Sequence, residues 1–325
     1  MLCGTKDVKF RKIWRVLAPI IGIGLFVGAI WILRRELHEV PLRDIGRALA
    51  ALSPLRVALA FALTIAGYLA LTAYDVVALH HLKRKLSFGK VIYTSFIAYA
   101  LANNLPGAFI VGGSVRHRLY SRWGLSPTDT NALVLLNIIT YALGLATAAA
   151  LAFTFAPHAV PRLLNLPVDS TRPLGLIAAT LVIGYLVWSA LGHPFHMKGR
   201  AIGPLPLPTT LLQIAVSLAD WIISGSALYG LLPAGHGLGY VDFFSVFLLG
   251  QIAALVVQLP GGLGVFEAVM LGILGSKIPR HIVFSALVAY RVIYYLIPLA
   301  VAAILLGIHE VSRMTHKRRA APSRA

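Results

Sequence analysis

The stretch "NNLPGAFIVGGSVRHRLYSRWGLS", residues 103–126, decides how this chain is read. Two amides, a proline and three glycines interrupt an apolar run. Arg116, His117, Arg118 and Arg122 follow within a few residues. In a water-soluble protein this would be a surface loop. The surrounding sequence excludes that answer, because 58% of the chain is hydrophobic, 12% is charged and the mean hydropathy is +0.81, well outside the range of soluble domains.

Stretches of roughly 20 apolar residues, enough to cross a hydrocarbon core, recur at 13–33, 55–79, 128–155, 173–193, 210–232 and 279–308. Two further stretches, 91–113 and 243–275, are apolar but broken by Pro and Gly. The expected fold is an all-α polytopic integral membrane protein with six to eight transmembrane segments and two re-entrant hairpins. It forms a single membrane domain over 1–325, ending in a basic cytoplasmic tail at 309–325.

The net charge of +18 reads as topology rather than nucleic-acid binding, because the cations collect at the ends of apolar runs. The opening "MLCGTKDVKFRKIWR" has the charge of a signal-peptide n-region. The run behind it is long for an h-region and lacks a small-residue cleavage site, so an uncleaved first helix is expected. If both broken segments re-enter, 19 Lys and Arg fall on the cytoplasmic side and 9 on the other. If both span, the split is 16 to 12. The positive-inside rule favours the re-entrant arrangement, with both termini cytoplasmic.

"NLPG" at 104–107 and "QLPG" at 258–261 lie 154 residues apart, and the spans before and after them are offset similarly. Each half, about 1–155 and 173–308, then reads span, span, broken hairpin, span, with the second copy inverted. Paired Pro/Gly interruptions in inverted halves point to a transporter's binding site. Between the first two spans, "ELHEVPLRDIGRALAALS" has Leu42, Ile45, Leu49 and Leu52 at helical spacing, which suggests a short interfacial helix that fixes the entry of the second span.

A chain broken at membrane depth leaves backbone groups that need protein or a wet cavity beside them. Asn103, Asn104, Gly107, Gly112 and Gly113 around the first break, and Gly261 and Gly262 at the second, are therefore candidate substrate contacts. Pro106 and Pro260 are candidate gates. Half-helix N-termini favour anions, and Arg116 can either add a phosphate ligand or serve, like Arg118 and Arg122, as a snorkelling anchor. Ionisable residues within spans are costly and default functional candidates. They include Asp220, on one face with Gln213, Ser217 and Ser224; Glu267; and Arg291, with Tyr294, Tyr295 and Pro298 on its side. Asp75 shares a face of its span with Thr64 and Tyr68 but lies near the cytoplasmic end, where an interfacial charge is an equally good reading. The structural alternative is an internal ion pair, Arg291 with Glu267 or Asp220. The single cysteine, Cys3, excludes intrachain disulfides. No hydrolytic, nucleotide-binding or metal constellation stands out, "HPFHM" at 193–197 being a weak metal hint, and no cofactor is expected.

"GGSVRHRLYSRWGLS", "PGGLGVFE" and "YRVIYYLIPL" together resemble the lysylphosphatidylglycerol synthase transmembrane-region family, which includes the flippase domain of the bacterial multiple peptide resistance factor. The resemblance covers nearly the whole chain. It implies translocation of aminoacylated phosphatidylglycerol from the inner to the outer leaflet of the cytoplasmic membrane, which lowers negative surface charge and repels cationic antimicrobial peptides. By matching motif it implies functional roles for Asp75, Arg116, Glu267 and Arg291. Bifunctional members continue into an aminoacyltransferase domain, whereas this sequence closes on "HKRRAAPSRA". The expectation is a flippase, not an enzyme, whose partners are a membrane phospholipid, a separate lipid synthase and a second copy in a homodimer. The competing reading is a membrane-embedded lipid-modifying enzyme, or a subunit that presents lipid to one.

Overall fold

A computed structural model describes residues 52–105, 107–157, 170–193, 195–197, 200–202, 204–233, 237–257 and 264–319. The expected first span 13–33, most of the interfacial helix, Pro106, and Pro260, Gly261 and Gly262 lie outside the described residues.

Among the described residues five helices are long and apolar enough to cross a membrane: α1 (Pro54–His81), α4 (Pro127–Phe155), α5 (Arg172–Leu191), α6 (Leu207–Leu231) and the last span, Arg280–Ile308. They coincide with five of the six unbroken apolar runs. Local chemistry sets their ends. Ser53 and Ser126 each accept a hydrogen bond from a first-turn N–H, of Arg56 and Asp129, with proline at the first helical position. Such hydroxyl caps satisfy donors that have no partner within the helix, and the proline has no N–H to strand. Beyond α1, Lys83 takes a left-handed φ of 53°, which turns the chain out into the basic loop.

The two broken runs each resolve into a pair of short helices packed on each other: α2 (Phe88–Ala102) with α3 (Ala108–Tyr120), and α7 (Tyr240–Val257) with α8 (Val265–Leu274). Their helices have 15, 13, 18 and 10 residues. At about 1.5 Å per residue, all four are shorter than a hydrocarbon core of about 30 Å. Both α3 and α8 start on a left-handed glycine, Gly107 at φ 74° and Gly264 at φ 78°, a conformation costly for residues bearing a Cβ. Gly112 and Gly113, candidate substrate contacts by sequence, lie within α3 and are buried. Close packing explains them: a Cβ on Gly112 would come 3.0 Å from Arg116 Nη1, and one on Gly113 would touch Val134.

Two further departures concern regularity. "HPFHM" and its neighbours carry two short antiparallel strands, β1 (Phe195–Met197) and β2 (Arg200–Ile202), in an otherwise helical fold. The last span, expected to be one continuous helix, is α9 (Arg280–Tyr290), a π-helical turn (Arg291–Leu296) and α10 (Ile297–Arg319).

α1 lies along α6 at the centre, with α4 against both. A Cβ on Gly144 of α4 would fall 1.7 Å from Ser217 Oγ of α6, so that crossing depends on the absent side chain. Leu55, Ile65, Leu174, Leu181 and Val256 point outward and are exposed, as lipid-facing residues must be in a multi-pass membrane protein.

Candidate functional site

Polar side chains in the apolar core form three groups, and each contains residues singled out in the sequence. The first joins Asp75 and Arg116. Arg116 Nη2 donates to Asp75 Oδ1 at 2.9 Å and Nε is 3.1 Å from both carboxylate oxygens, Tyr120 Oη donates to Oδ2 at 2.6 Å, and Asn137 Nδ2 donates to Oδ1. The guanidinium carbon stands 4.4 Å from the Tyr99 ring centre. The two side chains are 0% and 5% exposed. Asp75 is therefore enclosed by protein, and Arg116 is committed to it in a planar two-point contact that suits guanidinium and carboxylate. Arg118, read as a snorkelling anchor, is also buried, at 5% exposure.

The second group lies on α6. Gln213, Ser217, Asp220 and Ser224 are all buried on one face, as their spacing predicts. Tyr74 Oη donates to Asp220 Oδ2 at 3.0 Å and lies 2.6 Å from Ser217 Oγ. Gln213 Nε2 donates to Thr140 Oγ1 at 2.7 Å, and Ser224 pairs with the Tyr290 hydroxyl.

The third group gathers where the last span widens. Arg291 Nη2 is 2.7 Å from Glu267 Oε1, while the Gly264 N–H donates to Glu267 Oε2 at 2.9 Å. Glu267 thus caps the helix that begins after the second break and holds Arg291 at the same time. The Arg291 and Glu267 side chains keep 14% and 22% exposure, more than the Asp75–Arg116 pair. Of the two partners expected for Arg291, the structure selects Glu267; Asp220 lies in the separate α6 group.

Proline explains the widened turn. Pro298 has no N–H to give the carbonyl of Tyr294 four residues back, and the chain passes through a π turn just before it, a form frequent at functional sites. Side chains from the first half serve the carbonyls of that turn. Tyr68 Oη donates to Tyr294 O at 3.4 Å and Asn104 Nδ2 to Tyr295 O at 3.3 Å. Gly67 makes room, since a Cβ there would lie 3.0 Å from the Tyr294 hydroxyl. The Tyr294 ring stacks on Tyr290 at 5.1 Å. Asn104 is thereby joined to the turn that carries Tyr294, through the carbonyl of Tyr295. Asn103 ends α2 as its C-cap, half-buried.

Sequence reasoning missed Tyr74, Tyr99, Tyr120 and Asn137. Tyr120, four residues after Arg116, carried a helical-face signal; the others come from different elements and carried none. Among the described residues no group of three His, Cys, Asp or Glu gathers to hold a metal.

Residues 19–302 match the model of the lysylphosphatidylglycerol synthase transmembrane region. The chain belongs to that family. It is 35% identical over 95% of its length to the uncharacterized protein slr0712 of Synechocystis, covering 97% of that protein, and 30% identical to the inner membrane protein YbhN of Escherichia coli, covering 98% of it. A phosphatidylglycerol lysyltransferase of Staphylococcus aureus is 26% identical over 93% of this chain, which spans 35% of that relative. The family thus places this multi-pass protein among membrane proteins linked to lipid metabolism.

Proposed function

We propose that this member of the family is a lipid flippase, moving aminoacyl-phosphatidylglycerol or a related phospholipid from the inner to the outer leaflet of the bacterial cytoplasmic membrane. The observation that carries the reading is the convergence of both broken segments on one π turn, through Asn104 to Tyr295 and through Glu267 to Arg291. Irregular backbone at membrane depth belongs beside a polar path, and a shared anchor lets two gates move together. The partly exposed Arg291–Glu267 pair offers both charges that a phosphate-bearing zwitterion needs, with α8's positive helix end nearby. A groove of about 350 Å³, lined by Phe61, Ile65, Tyr68, Phe96, Ile297 and Val301, opens beside the turn, and its apolar wall suits acyl chains left in the bilayer. In this reading the two broken segments are inverted re-entrant hairpins. The S. aureus relative's name, phosphatidylglycerol lysyltransferase, points to aminoacylated phosphatidylglycerol as the lipid; moving it outward would lower the negative charge of the outer leaflet and with it the attraction of cationic antimicrobial peptides.

The test is reconstitution of the purified protein into liposomes carrying phosphatidylglycerol or lysyl-phosphatidylglycerol, with leaflet-specific chemical labelling of each lipid. Faster equilibration of one lipid than in protein-free vesicles supports the reading. Equal rates for every lipid tried would sink it.

A further inference from the structure

Among the described residues two carboxylates are buried inside the helix bundle, and their surroundings differ. Asp75 accepts from Arg116, Tyr120 and Asn137. Asp220, 6% exposed, accepts a single hydrogen bond, from Tyr74, and makes no ion pair among the described residues. An ionised carboxylate offers about four acceptor sites, and leaving one buried without a counter-charge is costly.

Among the described residues, the elements around α6 bring no cation to it. The titratable groups within electrostatic reach are Tyr68 and Tyr74 of α1, Tyr99 of α2, Tyr141 of α4 and Tyr294 of the π turn. On α1, Asp75 is taken up by Arg116. On α9, Tyr290 bonds Ser224, while Arg280 and His281 are exposed at its start. On α5, Tyr185 packs on Trp188, and on α7, Tyr240 bonds Ser226 and Ile222 O, with Asp242 in the first turn.

Asp220 also lies on a polar seam. Thr210 pairs with Ser189, Gln213 with Thr140, Ser217 with Tyr74 and Ser224 with Tyr290. From Thr210 to Ser224 the seam runs roughly 21 Å at helical rise, most of the way across a hydrocarbon core. Gln213 Oε1, Trp221 Nε1 and Tyr99 Oη are buried polar atoms with no hydrogen-bond partner. Hydroxyls on either side of an acid with spare acceptor sites can relay protons to and from it.

We propose that Asp220 is a proton-carrying group, which takes a proton from water on one side of the membrane and returns it on the other. Hydronium gives its proton to a carboxylate oxygen of Asp220, leaving water; the reverse transfer on the opposite face restores the carboxylate, and nothing is oxidised or reduced. The coupling of this proton to lipid movement rests on the flippase reading above.

The experiment uses the full chain in liposomes and has two readouts. Infrared difference spectra between acidic and neutral pH detect the C=O stretch of a protonated carboxyl. The expected result is a band present in the parent protein and in E267Q but lost in D220N, with D220E restoring a shifted one; thermal unfolding of D220N confirms that it is folded. In lipid-movement assays, an imposed pH gradient of one unit drives up to a tenfold accumulation in one leaflet with the parent protein, and none with D220N. An infrared band unchanged in D220N overturns the proposal, as does accumulation driven by a sodium gradient and indifferent to pH. Parent protein that moves lipid without regard to either gradient also overturns it, leaving the flippase reading intact. Parent protein that moves no lipid defeats the flippase reading, and the infrared result still decides proton uptake at Asp220.

Discussion

The side-chain amide of Asn104 donates to the main-chain oxygen of Tyr295 at 3.3 Å, fastening the break after α2 to the π turn of the last span. Tyr68 does the same for the neighbouring carbonyl of Tyr294. The turn stands open because Pro298 withholds an N–H, and its carbonyls are held by groups 191 and 226 residues away in sequence. Pro298→Ala supplies that N–H, so the turn should close into regular helix and free both side chains. A proline inside a helix costs about 3 kcal/mol, so thermal unfolding in detergent should show the variant as stable as its parent or more so. Lipid movement should fall at least tenfold. Unchanged transport would remove the π turn from the mechanism.

The Asp75–Arg116 pair should behave as structure. Asp75→Asn or Arg116→Gln strands the other partner in the core and should cost about 3–5 kcal/mol. Arg116→Lys should also destabilise, because an ammonium cannot make the two-point contact. Denaturation midpoints in detergent check all three. Wild-type stability in Arg116→Gln would show that this buried pair holds nothing together.

Glu267 and Arg291 make the opposite forecast. Their side chains keep 22% and 14% exposure, so water compensates for a lost partner. Glu267→Gln and Arg291→Gln should shift stability by about 1 kcal/mol or less, the range of exposed pairs, yet stop lipid movement, and the double variant should stay inactive. An active double variant would take both residues out of the site.

Where α4 crosses α6, Gly144→Ala would place a Cβ 1.7 Å from Ser217 Oγ and 2.3 Å from Ser217 Cβ. Such overpacking costs about 1–3 kcal/mol and would push Ser217 off Tyr74. Ser217→Gly in the same chain should recover most of the loss, measured again by thermal unfolding. Failure of that rescue would place the strain elsewhere.

Single cysteines at Ser121 and Ser276, both exposed, in a chain whose Cys3 is replaced, report the sidedness of the two broken segments. Under the inverted re-entrant arrangement, Ser121 should react with membrane-impermeant maleimide only from the cytoplasmic side and Ser276 only from the other. Labelling of both from one side would end the inverted-repeat reading.

The sequence alone determined the class of fold, because a hydrocarbon solvent imposes one rule that composition records: long apolar runs must be helices. Runs 55–79, 128–155, 173–193, 210–232 and 279–308 each became a helix of nearly that extent. Helical spacing likewise announced the buried face of Gln213, Ser217, Asp220 and Ser224, and local glycine chemistry marked where α3 starts, at Gly107. What only the tertiary structure decided was partnership. Asp75 and Arg116 were candidates with separate tasks until α1 and α3 brought them to hydrogen-bond distance with Tyr120 and Asn137. Arg291 had two carboxylates to choose from, and chose the one that caps α8. The π turn has no pattern of its own in the sequence, since it arises from a missing N–H at Pro298 together with the Tyr68 hydroxyl and Asn104 amide that reach its carbonyls from the other half. Periodicity reports which face of a helix is buried; which side chain waits there depends on how distant helices cross, and that is set by packing at contacts such as Gly144 on Ser217.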